Sequence, residues 1–269
     1  MKSLPAPAPS LGAQVMRSQT AMIDWLSGNT LRQTQDMLNG HRPDGGDLCR
    51  LIAVWHQALD EAVDVSLAEL ASQGRRPGCR QGCAWCCYQE TLVSSVEVAF
   101  LAAMLPPDQH ATLAERCRTI VARTAGGGSR ARASKTIPCP LLHGTTCSIH
   151  AIRPQACRTH FSVSREACRR EWNSRTRPER PGAAGGVPMP AQPKGIGFAM
   201  GWGLDKALAE TGLEVELCEL AEGLTVALGP GALDRWLAGE RVFRAVARRS
   251  GEHLYSELLA RETPLPEAA

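Results

Sequence analysis

Four of the chain's eleven cysteines stand within nine residues, in "CRQGCAWCC" from Cys79 to Cys87. Three more, Cys139, Cys147 and Cys157, are carried by "PCPLLHGTTCSIHAIRPQACR", and Cys168 follows in "SVSREACRR". Thiols this crowded can form disulfides, a redox pair, a metal site or an iron–sulfur cluster. The C-x-x-C spacing lets two thiolates reach one ion without strain, and a distant second cluster supplies the remaining ligands. Gly78, Gly82, Pro138, Pro140 and Gly144 fall where ligand loops need tight backbone. Such loops bury little apolar surface, and a metal would supply the missing cohesion. Eight thiolates are too many for one tetrahedral ion. On extended backbone Cys86 and Cys87 would point to opposite sides, which makes them awkward partners at one small ion. Two four-ligand sites, or one polynuclear centre, suit the supply better. All-thiolate coordination is compatible with zinc and with iron–sulfur clusters.

The whole chain argues against the disulfide alternative. At 269 residues and 43% apolar it can bury a core without covalent staples. Disulfide frameworks serve mainly short secreted chains, and eleven is an odd number. The opening "MKSLPAPAPSLGAQVMRS" has no apolar signal region, and no stretch reaches the ~18 apolar residues of a membrane span. A reducing cytoplasmic location is expected, where clustered cysteines mean metal or redox chemistry. Thirty basic residues against 27 acidic ones, a net charge of +3, make no polycation, so bulk charge does not favour nucleic acid as a partner. The basic runs "SRARASK" (Ser129–Lys135) and "RREWNSRTRPERP" (Arg169–Pro181) read as solvated loops.

The elements that must position the cysteines read mostly as helix. Leu48, Leu51, Ile52, Trp55, Leu59, Val63 and Leu67 recur at three- and four-residue steps and form one apolar face. "SSVEVAFLAAML" opens with a capping box, Ser94 as N-cap and Glu97 at N3. Another helix is expected over 109–123, ending at "GGGSRARASK". Four short helices are expected beyond a Pro/Gly-rich linker, in "GFAMGWGLDKALAET", "EVELCELAEGLTVAL", "GALDRWLAGERVFRAVARR" and "EHLYSELLARE". Strands do not alternate with helices, which excludes a doubly wound sheet. The expectation is a mainly α fold around an irregular, Cys-rich core. Its organisation reads as an N-terminal helical region (1–74), a cysteine-cluster domain (75–174), a linker (175–195) and a C-terminal helical region (196–269).

These cysteines resemble the YkgJ-type cysteine-cluster family, the CxxCxxCC zinc- or iron-chelating domain. The matching features are "CAWCC", Glu97, "CPLL" at Cys139, "CSIH" at Cys147, "IRPQACR" ending at Arg158, and "THFSVSREAC" to Cys168. One departure is that three residues, not two, separate Cys79 from Cys83. The resemblance implies metal-binding thiolates at Cys79, Cys83, Cys86, Cys87, Cys139, Cys147, Cys157 and Cys168. Zinc or iron is the implied metal, as ions or as an iron–sulfur cluster. Flagellin lysine N-methylases look similar over the same cysteines, which makes S-adenosylmethionine-dependent methyl transfer the alternative activity.

Other readings of these residues compete. "CRQGCAWC" fits the C-x-x-x-C-x-aromatic-C pattern of radical-SAM enzymes, but those need a β/α barrel. A thioredoxin-like Cys83–Cys86 pair needs a βαβ context that is missing. A zinc that only holds the loops together remains open, since closed all-thiolate sites are normally structural. No paired carboxylates, nucleophile motif or phosphate-binding glycine loop accompanies the cysteines. His143 and His150 read as exposed loop residues, and His160 as the best auxiliary ligand. Arg153 and Arg158 could donate hydrogen bonds to thiolate sulfur. Cys49 and Cys218 read as small core residues, Cys117 is undecided, and Trp25, Trp55, Trp202 and Trp236 read as core or interface anchors.

Overall fold

The structure, a computed structural model, describes residues 11–127, 131–176 and 186–248. Helices dominate it, so the fold is mainly α. Two long helices come first, α1 (Leu11–Leu38) and α2 (Gly45–Ser72). The start of α2 is fixed by a reciprocal box. Asp44 accepts from the Asp47 N–H at 2.7 Å, and Asp47 accepts from the Asp44 N–H at 3.2 Å. Its apolar stripe is buried from Leu48 to Val63, with Leu67 half-buried at the edge.

The short strand β1 (Leu92–Ser94) runs directly into α3 (Ser95–Met104), whose residues 95–102 are buried on every side. Helix α3 is therefore the central post of the core. Ser94 caps it by accepting from the Val96 N–H at 3.2 Å. Glu97 reaches back to the Ser94 backbone and also turns outward to a second partner, described below. Next come α4 (Pro107–Thr124), the one-turn α5 (Ala131–Ser134), the hairpin strands β2 (Leu142–His143) and β3 (Thr146–Cys147), the one-turn α6 (Gln155–Arg158) and α7 (Arg165–Thr176). The chain closes with α8 (Ala191–Glu210), β4 (Leu217–Glu219), α9 (Leu220–Ala227) and α10 (Ala232–Leu237).

The C-terminal elements depart from the four expected helices. "EVELCEL" begins as strand β4, which pairs antiparallel with β1 in the register Leu92↔Glu219, Val93↔Cys218, Ser94↔Leu217. The ladder satisfies backbone groups that a helix would have bonded internally, and it buries Val93 and Cys218 side by side. "GALDRWLAGERVFRAVARR" is helical only over α10, and "EHLYSELLARE" lies outside the described residues. Helix α8 starts at Ala191, earlier than its sequence suggested, because Pro190 is placed where a missing N–H costs nothing.

One apolar core draws on α2, α3, α4, α8, α9 and Trp236 of α10. Trp55 belongs to this core, Trp202 is also buried, and Trp25 is 58% exposed. No helix among the described residues is long and apolar enough to cross a membrane.

Helix α1 packs chiefly on α8, and glycine makes the approach possible. A Cβ on Gly203 would lie 2.4 Å from the Ser27 carbonyl oxygen and 2.9 Å from the Leu31 nitrogen. Gly203→Ala must push the helices apart, at a cost of about 1–3 kcal/mol. The melting temperature should fall by several degrees. Gly195→Ala, whose Cβ meets only Ile23 Cδ1 at 3.8 Å, should be neutral or slightly stabilising.

His56 on α2 is buried against Trp55 and Phe100, and its Nε2 has no hydrogen-bond partner. Desolvation, helped by Arg158 and Arg153, lowers its pKa from 6.5 to about 3. A lowered folded-state pKa means that its contribution to stability is present above pH 6.5 and is lost as the pH falls through about 3. Denaturant midpoints of wild type and His56→Phe should therefore diverge in that window, the variant losing less stability on acidification.

Candidate metal centre

Three segments carry the eight cysteines, and each is shaped by local bonding. In the first, Cys79 is followed by a turn closed by the Cys83 N–H donating to the Arg80 carbonyl at 3.0 Å. Gly82 takes φ +78° in that turn, a conformation that favours glycine. Cys86 and Cys87 lie in a 3-10 turn, Trp85–Tyr88, and not on extended backbone. Successive side chains there diverge by about a third of a turn. The two thiols are consequently close enough to hydrogen-bond, yet face different neighbours.

The second segment is tied to the first by the Cys139 N–H, which donates to the Cys87 carbonyl at 2.7 Å. The β2–β3 hairpin sets Cys147 opposite Leu142. Helix α6 then presents Cys157. Its first N–H, on Gln155, donates to Glu97 Oε1 at 2.6 Å, so the buried carboxyl of α3 caps the ligand-bearing turn. Burial pushes the Glu97 carboxyl up to about 7, against the pull of that N–H. Arg158, 4% exposed, braces the same loop through the carbonyls of Arg153 and Ala151 and an ion pair with Asp60 at 2.5 Å. It serves the backbone, not the thiolates. Arg153 is the arginine whose charge favours the Cys86 thiolate.

The third segment returns to the first. The Gly78 N–H donates to the Ser162 carbonyl at 2.6 Å, and the Ser162 N–H donates to Cys79 Sγ at 3.4 Å. Cys168 follows on α7.

Together these bonds regroup the cysteines. Cys79, Cys83, Cys86 and Cys168 lie within electrostatic reach of one another, as do Cys87, Cys139, Cys147 and Cys157. The first four are called here the outer set and the second four the inner set. The sets meet at the adjacent pair, where Cys86 also feels Cys157. Desolvation raises the pKa of Cys79, Cys83, Cys139 and Cys157, and neighbouring thiols add to it, whereas Cys87 is raised first by its hydrogen bond to Cys86 and then by desolvation. Cys86 goes the other way, to about 7, because the Cys87 thiol hydrogen-bonds to it. Among the described residues no three thiol, imidazole or carboxylate groups already stand in a geometry that would hold an ion. The donor set, thiols alone and in two fours, fits soft or borderline metals.

The remaining three cysteines sit on scaffold elements, and Cys117 comes within electrostatic reach of Cys139. Cys218 is buried in the β1–β4 ladder, Cys49 is half-buried on α2, and Cys117 is buried on α4 with its pKa pushed up to about 12, chiefly by desolvation. All eleven are free thiols. His143 and His150 are exposed. His160 lines a cavity of about 250 Å³ with Cys79, Cys83, Cys86 and Cys168, and its pKa is lowered by desolvation and by Lys194.

The cavity's other walls include Trp85 and Trp172. The Arg165 guanidinium sits 5.2 Å from the Trp85 ring centre, and Tyr88 packs on Trp172 with ring centres 4.6 Å apart. "SRARASK" corrects the solvated-loop reading in part, because Arg132 is only 3% exposed. Its guanidinium pairs with Glu219 at 2.7 Å and favours the Cys139 thiolate. No spacing in the sequence signals that role, since the partner is 87 residues away.

The stretch that supplies all eight thiols is the one with known counterparts. Residues 78–177 match the family model CxxCxxCC, a putative zinc- or iron-chelating domain. No curated protein and no solved structure matches the chain. The CxxCxxCC match supports a metal-binding role and leaves zinc against iron open. It starts at the residue whose backbone straps the first segment to the third, and it ends at residue 177, beyond Cys168.

That strap depends on glycine. A Cβ on Gly78 would lie 2.6 Å from the Arg165 nitrogen. Gly78→Ala should part the Cys79 loop from residues 162–165, weakening metal retention at the outer set while leaving far-UV circular dichroism unchanged. Chelator titration of the variant beside wild type measures this.

Proposed function

We propose that the protein binds zinc or iron through two sets of four thiolates, Cys79, Cys83, Cys86 and Cys168 in one and Cys87, Cys139, Cys147 and Cys157 in the other. The observation that carries this reading is the regrouping itself. Three separate segments carry the eight thiols, while Cys49, Cys117 and Cys218 belong to α2, α4 and β4, with Cys117 within electrostatic reach of Cys139. Four thiolates complete a tetrahedral zinc or an iron–sulfur cluster without further protein ligands. Cys49 and Cys218 supply packing. Free thiols in this number belong in a reducing cytoplasm.

Protein purified without oxygen should hold two zinc ions per chain, or else show brown colour and acid-labile sulfide. Serine at any of the eight positions should lower the metal content, most surely at Cys83, Cys86, Cys139, Cys147 and Cys157. Serine at Cys49 should not. Metal-free protein with full helicity and an unchanged melting temperature defeats the proposal, as does metal lost in Cys49→Ser and kept in Cys157→Ser.

The second reading is an iron–sulfur enzyme of S-adenosylmethionine-dependent methyl transfer, favoured by the aromatic-walled cavity beside the outer set. At about 250 Å³ that cavity falls below the roughly 300–1,000 Å³ of typical ligand pockets, which is small for a nucleoside-bearing methyl donor. Calorimetry with S-adenosylmethionine on reconstituted protein decides. One-to-one binding that is lost in Cys86→Ala ranks this reading first.

A further inference from the structure

The two sets of thiols have unlike surroundings. In the inner set, Cys139 and Cys147 pack against the hydrophobic core, with Ile137, Leu141 and Ile149 buried behind them. The loop of Cys157 is held from both sides, by Glu97 at its helical turn and by Arg158 beneath it. Cys79 and Cys86 of the outer set are exposed, as is Cys157 of the inner set, but all four outer thiols border the cavity of about 250 Å³. The rest of that cavity's wall is largely apolar, with Trp85, Trp172 and Met189, and Ala133 at its back. Cys168 stands on α7, a charged helix at the surface.

We propose that the outer set is an exchange site, where a metal ion is taken up from and handed to compact soft-donor chelators entering the cavity, while the inner set keeps its ion. This rests on the metal-binding reading above. A thiolate-bound ion changes hands when an incoming donor binds before the outgoing sulfur leaves, and that requires free space beside the ion. All four outer thiols border such a cavity, whereas Cys139 and Cys147 of the inner set pack on the core. Each metal–sulfur bond that breaks is replaced by a bond from the chelator, and the released thiolate takes a proton from solvent. No electron moves. The apolar walls suit a flat organic chelator with thiol, imidazole or pyridine donors, of a size set by the cavity.

The test loads full-length protein with zinc alone under anaerobic conditions and follows its transfer to the chromogenic chelator 4-(2-pyridylazo)resorcinol. Surroundings alter the hold of a metal site by roughly 10–100-fold, so two release phases separated by about that factor are expected, one zinc in each. Cys168→Ser should abolish the fast phase and keep the slow zinc. Cys157→Ser should do the reverse. Where Cys157→Ser loses helicity, Ala133→Leu decides instead, because bulk added at the cavity wall should slow the fast phase without changing the zinc content. Two zinc ions leaving in a single phase overturn the inequivalence while metal binding itself stands. A fast phase that survives Cys168→Ser overturns it as well. Uptake of no zinc overturns both this proposal and the reading beneath it.

Discussion

Thiols gathered in a partly dehydrated region resist ionisation, because each thiolate formed makes the next more costly and burial adds to the cost. That resistance is visible at Cys79, Cys83, Cys139 and Cys157, raised chiefly by desolvation with neighbouring thiols adding to it, and at Cys87, raised first by its hydrogen bond to Cys86 and then by desolvation. A cation relieves both penalties at once. The surrounding protein has to hold three chain segments together in the meantime. It does so with backbone bonds, from Cys139 to Cys87 and from Gly78 to Ser162, which cost no charge.

Charged side chains complete the bracing from beneath. Glu97 caps α6, Arg158 gathers the carbonyls of its own loop, and Arg132 joins α5 to the start of α9 through Glu219. A buried pair such as Arg132–Glu219 adds little net stability, since desolvation consumes most of its attraction. Its value is positional. Removing one partner strands the other charge at a cost of about 3–5 kcal/mol, so the pair allows only one arrangement of the two elements. The same guanidinium lies beside Cys139, which links the placement of a thiol to the fold of the C-terminal helices.

Much of this was legible in the sequence. The face of α2 could be read because an amphipathic helix writes its 3.6-residue period directly into the order of apolar residues. The spacing of eight cysteines, and the resemblance it carries, set them apart from Cys49 and Cys218 as candidates and left Cys117 undecided. Which thiol neighbours which could not be read. Cys86 and Cys87 part company only because their backbone is a 3-10 turn, and Cys168 joins Cys79 only because Gly78 admits the 162–165 loop. "EVELCEL" looked helical on local grounds, and the ladder with β1, more than a hundred residues away in sequence, overrode it. Arg132 gave no sign of burial for the same reason, since its carboxylate lies outside its own stretch of chain.

The β1–β4 ladder and the Arg132–Glu219 pair separate two ideas that are often run together, recurrence and autonomy. The stretch that recurs among proteins ends at residue 177, yet Glu219 and the strand that completes β1 lie beyond it. An excised fragment spanning 78–177 would keep all eight clustered thiols, leave a guanidinium buried without its counterion, and give β1 an open edge. The portable part of this molecule is its sulfur chemistry, and the scaffold that makes the chemistry workable has to be furnished locally.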